Sequence, residues 1–376
     1  MGLTPIYEAL LASTAGRGGL LLSAEYCGAT TAARFGDPQE EFSALLNGCG
    51  VYDLGFRARI AITGGDRVRW LNGMVSNNVR DLAVGHGIYA FLLSPQGRIL
   101  GDMHVYNDGE RLIVETDRSQ IEKIMATFDH FIIMDDVELA DISPNETTIG
   151  LAGPGARTIL NAAGIEISEL QPLQMVTPTC KCDCDCGGCT VIRGENMQAK
   201  CYEVWLAPAD AYKTWKALVT AGATPTGSET LEIQRIAAGI PLYGVDIRER
   251  DLPQETEQMR ALNFNKGCYV GQEIVERIRS RGSVHRTFTG FVFEGGAAIP
   301  AGAKILAEEK EVGETTSTVN LHTPVGERGM ALGYIRREIG MPGRAVTIGT
   351  IQANVAQLPF DTSALRHADD AMLHRA

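Results

Sequence analysis

The sequence predicts an α+β protein whose last region is all strand. Three observations carry this. From residue 51 to about 144, strand-like runs, a helix and another strand follow one another. A similar mixture recurs after Asn145. From about residue 287 the pattern is strand and turn alone, as a small β-barrel or sandwich requires.

Residues 5–12 and 38–47 read as helices, and Val51–Thr63 as a strand by its apolar alternation. Gly64-Gly65 makes a turn, and Asp66 is a candidate N-cap for a short helix carrying Val68 and Leu71. IYAFLLSPQGRILGDMHVY is a hairpin, with apolar runs flanking the turn cluster Ser94-Pro95-Gln96-Gly97. Asn107-Asp108-Gly109 turns the chain into RLIVET, a helix follows at 118–128, and DVELADIS is a strand. Beyond Asn145, GLAG, TVIRG and YEVWLAP are strand-like, while ARTILNAAG and DAYKTWKALVTAG are helical. LEIQRIAAGI is a further helix that Pro241 stops. The closing SALRHADDAMLHRA reads as a loose helix or a frayed tail.

At 376 residues the chain has room for two or three domains, and 44% hydrophobic with 21% charged residues is ordinary globular usage. A net charge of −12 argues for solubility and against a broad nucleic-acid or anionic-membrane surface. MGLTPIYEALLAS has no basic leader and carries Glu8, and no apolar run is long enough to span a bilayer. The expected location is the cytoplasm, where the nine cysteines are reduced thiols or ligands rather than a disulfide framework.

The stretch KGCYVGQE, Lys266 to Glu273, sets one cysteine between glycines. Lys266 and the start of a helix at Gln272 would favour the Cys268 thiolate, and Ile274, Val275 and Ile278 would be that helix's buried stripe. Gly267 and Gly271 permit a sharp turn against a ligand; equally, Cys268 would fit as a small buried side chain in a tight loop. Lys266, Arg277, Arg279, Arg281 and Arg286 outnumber Glu273 and Glu276 there, giving either an anion site or a solvated helix face.

Five cysteines crowd into CKCDCDCGGC, Cys180 to Cys189. Cys186-Gly-Gly-Cys189 has metal-ligand spacing, and Cys184, Cys186 and Cys189 are the candidate ligands for zinc or a cluster. Alternation along a strand would instead point Cys180, Cys182, Cys184 and Cys186 to one core face. Asp53 and Asp102 are carboxylates beside strands, able to accept from a ligand amine or act as a base, or simply to cap a turn. Glu195, in RGENMQAKCYEVW, could take an amino-pyrimidine edge through paired N–H groups, as carboxylates do with bases, or be an exposed loop residue. No P-loop, GxGxxG, GxSxG or HExxH is present, and His86, His104, His130 and His285 form no ligand pattern.

Taken together these segments resemble the folate-binding proteins related to the glycine-cleavage T-protein, the aminomethyltransferases. ARFGDPQEEFSAL, GVYDLGFRARIAITGGDRVRWLNGMVSNNV, YAFLLSPQGRILGD, RIAAGIPLYGVDI, LPQE and GMALGYIRRE occur in the family's order over nearly the whole chain. KGCYVGQE resembles the mark of the YgfZ branch, which includes the mitochondrial iron–sulfur assembly factor; T-proteins carry aspartate at that cysteine. The resemblance implies a three-lobed ring of two ferredoxin-like α+β lobes and a C-terminal β-barrel around a hole for tetrahydrofolate. It divides the chain into a folate-binding region at 1–286, a barrel at 287–362 and a tail at 363–376.

By position in the family pattern, Glu195 grips the pterin, and Tyr89 and Lys266 belong to the cofactor-binding set. Arg277, Arg279 or Arg281 meets the glutamate tail, and Cys268 and Asp102 carry the chemistry. Gly101 replaces the first of the T-protein's paired aspartates, Leu231 its folate-contacting arginine, and Gly55-Phe56 its serine–histidine pair. These departures imply a YgfZ-type protein that binds tetrahydrofolate and supports iron–sulfur cluster assembly or repair, with iron–sulfur proteins or their assembly machinery as partners. The alternatives are a folate-dependent aminomethyl or methyl transferase, and a metal-binding module built on CKCDCDCGGC.

Overall fold

The computed structural model describes residues 2–14, 21–178, 188–195, 200–296, 298–323 and 326–363. Two compact units form: the described residues up to Ala90 with Met103–Leu231, and Phe91–Asp102 with the described residues from Glu232 on.

In the first unit a six-stranded sheet runs in the order Met175–Val176, Thr190–Arg193, Cys201–Leu206, Thr147–Ala152, Gly50–Asp53, Thr224–Thr226. Its pairings are antiparallel except the last, which is parallel. Helices Pro5–Thr14, Ala156–Ala162 and Pro208–Thr220 supply apolar stripes to its core around Ile6, Val51, Ile149, Leu160, Val204 and Trp215. A five-stranded sheet runs His86–Leu93, Ile99–Asn107, Leu112–Asp117, Arg57–Thr63, Glu138–Asp141. Tyr106 and Ile113 from this sheet pack with Ile192 and Trp205 from the other. The expected ferredoxin-like α+β character is therefore present.

The run Val51–Thr63 is two strands, not one: Gly50–Asp53 lies in the six-stranded sheet and Arg57–Thr63 in the five-stranded one. Between them Asp53 accepts from the Gly55 amide at 2.7 Å and the Arg57 amide reaches the Leu54 carbonyl at 2.9 Å, which turns the chain from sheet to sheet. The helix expected at 118–128 is Ile121–His130. Its start is delayed because the Arg118 and Ser119 amides are bonded to the Phe56 and Cys27 carbonyls. The helix expected over LEIQRIAAGI is Ser228–Ala237, ended before Pro241 by Gly239 at φ +68°.

The second unit holds a closed six-stranded barrel in the order Arg286–Glu294, Gly326–Arg336, Lys310–Thr323, Lys304–Ala307, Ala345–Ile348, Ile351–Ala356. Closure leaves no open sheet edge, and register shifts at Ile305/Leu306 and Thr315/Ser317 bend two strands. Phe291, Ile305, Ala331, Ile335 and Val346 fill it. The segment RIAAGIPLYGVDI is pinned to the barrel by charge: Arg235 pairs with the fully buried Asp246 at 2.6 Å, and Ser317 bonds both.

In the same unit the hairpin turn at Ser94–Gly97 lies against the start of helix Gln272–Arg281. Gly271, the last glycine of KGCYVGQE, has φ +82°, and a Cβ there would stand 2.6 Å from the Ser94 carbonyl oxygen. Gly271→Ala should therefore lose about 1–2 kcal/mol from the left-handed backbone, plus the cost of the clash. The urea midpoint should fall; an unchanged midpoint would contradict the close approach.

Candidate functional site

Strand Ile99–Asn107 alternates between a buried face and a half-open one, and Asp102 and His104 both stand on the half-open face. The His104 ring lies 5.2 Å from the buried Tyr89 ring and 6.1 Å from that of Tyr106. Glu195, two residues beyond strand Thr190–Arg193, brings its Oε2 to 3.6 Å from His104 Nε2, with side chains 21% and 20% exposed. Two of the expected cofactor-binding residues, Glu195 and Tyr89, are thus joined through a histidine that spacing did not single out. One histidine on a strand forms no sequence motif; the alternation that set it beside Tyr106 was the available signal.

Behind this corner lies a buried charge cluster. Arg59 is fully buried, 2.7 Å from Glu115, bonded to Thr148, and stacked 3.8 Å over Trp205. Arg57 pairs with Asp117 at 3.0 Å two positions along the same ladder. Glu203 enters from the facing sheet beside Trp205, whose indole N–H points to its carboxylate at 3.5 Å. Burial first, and the Glu115 charge second, push the Glu203 carboxyl above the ordinary glutamate value; Arg57, His104 and Arg59 pull it back.

That shift has a sign in stability. Above the ordinary value of 4.5 the unfolded chain has released the Glu203 proton while the folded chain still holds it. Stability from this group is then lost as pH rises through the interval from the unfolded to the folded value. Glu203→Gln should raise the urea midpoint above that interval and flatten the pH dependence within it. A variant that keeps the wild-type pH slope would contradict the account.

Asp53 is not an open base. It is buried and accepts from Thr4, from Thr31 at 2.8 Å and from the Gly55 amide, so it closes the turn between the two sheets. Asp102 is half-buried, and its charge contributes to raising the Tyr243 hydroxyl, whose shift comes mainly from burial.

Cys268 is exposed, as an accessible thiol requires, rather than packed into its loop. By contrast Cys49 is buried and its thiol is pushed up to about 12. Helix Gln272–Arg281 forms where expected, but of its apolar stripe Val275 alone is fully buried; Ile274 and Ile278 are partly covered. Arg277 pairs with Glu273 at 2.7 Å, Arg279 with Glu276 at 3.7 Å while lying over the Phe264 ring, and Lys266 lies over Tyr269. Arg281 is exposed in the last turn. Arg286 leaves the strip altogether, held by Asp251 at 2.5 Å and Glu255 at 3.1 Å. Cys180, Cys182, Cys184 and Cys186 lie outside the described residues; Cys189 is half-buried. Among the described residues no group of three or more His, Cys, Asp or Glu side chains is arranged to hold a metal.

A reduced pterin presents a flat ring and an amino-pyrimidine edge rich in N–H donors. A half-open carboxylate is an acceptor that matches those donors, and an aromatic wall suits the flat ring, so Glu195 with Tyr89 across His104 fits that group.

The sheets and the closed barrel define a protein of the aminomethyltransferase fold. The solved glycine cleavage system aminomethyltransferase T of Bartonella henselae superposes with a TM-score of 0.83 at 20% identity, covering 96% of this chain and 98% of that one. Residues 3–266 match the GCVT N-terminal domain, and the chain belongs to that family. It is 27% identical over 336 residues to an aminomethyltransferase of Halothermothrix orenii, covering 85% of this chain and 90% of the relative. To an aminomethyltransferase of Thermus thermophilus it is 28% identical over 371 residues, covering 95% and 98%. A putative chloroplastic transferase of Arabidopsis thaliana is 27% identical over 333 residues, covering 87% and 74%. Among the described residues no helix is long and apolar enough to cross a membrane.

Proposed function

We propose that the chain binds tetrahydrofolate and transfers a one-carbon group, aminomethyl or methyl, to or from it in the cytoplasm. The observation that carries this is the half-open Glu195 carboxylate beside His104, whose ring lies against Tyr89, in a chain whose relatives are named aminomethyltransferases. When bound, tetrahydrofolate supplies the ring nitrogens that accept or release the one-carbon unit. Glu195 accepts from the amino-pyrimidine edge, and Tyr89 walls the ring. Asp102 takes the family's position for holding or moving a proton at the folate nitrogen. Arg277, Arg279 or Arg281 is the cation for the glutamate tail; the exposed helix pairs of Arg277 and Arg279 are worth about 0.3–0.5 kcal/mol each and yield readily to a ligand carboxylate. Purified protein given tetrahydrofolate and aminomethyl or methyl donors should form methylene- or methyl-tetrahydrofolate. Absence of product with every donor would remove the transfer step.

A second reading is favoured by the exposed Cys268 in KGCYVGQE, together with Gly101, Leu231 and Gly55-Phe56 in place of T-protein residues. On it the chain is of the YgfZ branch and supports iron–sulfur cluster assembly or repair, with Cys268 as nucleophile or transient ligand. Alkylation of the native protein should then reach Cys268 well before Cys49. Cells carrying Cys268→Ala should lose cluster-enzyme activity while the variant keeps its fold, and unchanged cluster enzymes would rule the role out.

A further inference from the structure

The barrel strand Gly326–Arg336 carries most of the segment GMALGYIRRE, and the transfer just proposed uses none of it. Its last residues, with parts of three other barrel strands, wall a cleft of about 430 Å³, a size usual for small-molecule sites. Alternation turns Ile335 into the barrel core and sets Tyr334 and Arg336 on the other face, where both line the cleft with His285 and Arg286. No residue assigned above to folate stands in its wall.

The antiparallel ladder sets Arg286 directly opposite Arg336, and like charges so placed repel. Arg286 is answered by Asp251 and Glu255. The other carboxylates of the wall are engaged too: Glu311 by Lys304 at 2.7 Å, and Glu314 by Arg250 and, at 3.3 Å, by Arg248. Arg336 is exposed, and among the described residues it has no ion pair. Its rigid fork of N–H donors is therefore available to an anion. Tyr334 is a second, independent sign. It is 3% exposed, and among the described residues its hydroxyl has no hydrogen-bond partner. Burial first, then the Asp251 charge, raise its ionisation above the ordinary tyrosine value, so it stays an O–H donor. Such a donor is costly to bury without an acceptor. The exposed His285 supplies a further ring N–H.

We propose that this barrel cleft is a second ligand site, which holds a small metabolite by an oxyanion, phosphate or carboxylate, on Arg336 with Tyr334 and His285 as further donors. A guanidinium takes either group through two parallel N–H···O bonds, so that chemistry is common to both. The site goes beyond the folate reading and does not depend on it.

The test is calorimetric titration of the purified full chain with inorganic phosphate and, separately, with succinate, at an ionic strength held constant with chloride. At least one of them should bind saturably in the low-millimolar range or tighter, and the one that binds more tightly identifies the anionic group. Arg336→Gln should weaken that binding at least about 10-fold. Arg337→Gln removes the same charge from the next residue, outside the wall, and should stay within about 2-fold of wild type. Tyr334→Phe should weaken binding roughly 3- to 10-fold. In anion-free buffer neither Arg336→Gln nor Tyr334→Phe should lower the urea midpoint, since one relieves a like-charge pair and the other removes an unmet donor. Flat titrations with both anions to about 20 mM would overturn the proposal. So would equal losses in Arg336→Gln and Arg337→Gln, wild-type affinity in Tyr334→Phe, or a fallen midpoint in Arg336→Gln. Tetrahydrofolate takes no part in these titrations, so the folate reading stands or falls separately.

Discussion

Glu195→Gln is expected to weaken tetrahydrofolate binding by about 1.5–3 kcal/mol, roughly 10- to 150-fold, the worth of hydrogen bonds to a charged acceptor. The substitution keeps the size of the side chain but replaces an acceptor-only carboxylate with an amide. Its NH₂ group would meet the ligand's own N–H donors, donor against donor. Glu195 is half-buried and lies beyond its strand, so the change should leave the unfolding midpoint in place. Calorimetric titration separates the outcomes: a large affinity loss with an unchanged midpoint supports the assignment, and wild-type affinity rejects it.

The largest effect on stability should come from Arg59. Its guanidinium is fully buried with Glu115, Thr148, Trp205 and, at 3.7 Å, Glu146. Arg59→Met removes the one fully buried cation of this cluster and strands Glu115 beside Glu203, whose proton affinity Glu115 already raises. Breaking a buried pair in this way costs about 3–5 kcal/mol, because the remaining charge is left without compensation. Urea unfolding followed by tryptophan fluorescence reads it, since Trp205 lies under the guanidinium. Removing Glu115 as well, in Arg59→Met/Glu115→Leu, should recover much of the loss. A single variant as stable as wild type would mean that the cluster is not held by this pair.

Much of the fold is legible in the sequence because period and turn chemistry are local. The SPQG hairpin turn, helix Pro38–Asn47 behind its Asp37 cap, and the all-strand stretch after residue 286 each carry their own signal. What is not legible is where one run of apolar residues passes between sheets: Val51–Thr63 reads as continuous because both of its strands are buried nearly throughout, and the break at Leu54–Phe56 rests on long-range bonds to Thr148, Thr4 and Thr31. The short strand Thr224–Thr226 is likewise defined by its parallel partner rather than by its own residues.

The candidate site divides in the same way. Cys268 is recognisable from its glycines and neighbouring charges, and its exposure agrees with an accessible thiol. The surrounding arginines are a poorer guide. Composition counts their charge but not their partners, and Arg277, Arg279 and Arg286 prove to be paired with carboxylates. His104 and the cluster of Arg57, Arg59, Glu115 and Glu203 are scattered over four strands, so no window of sequence brings them together.

The most direct test of the account is titration of the purified wild-type chain with tetrahydrofolate under anaerobic conditions. Saturable binding of one molecule per chain, weakened roughly 10- to 150-fold in Glu195→Gln, is the predicted result. A flat titration up to millimolar ligand, from protein shown to be folded, would contradict it.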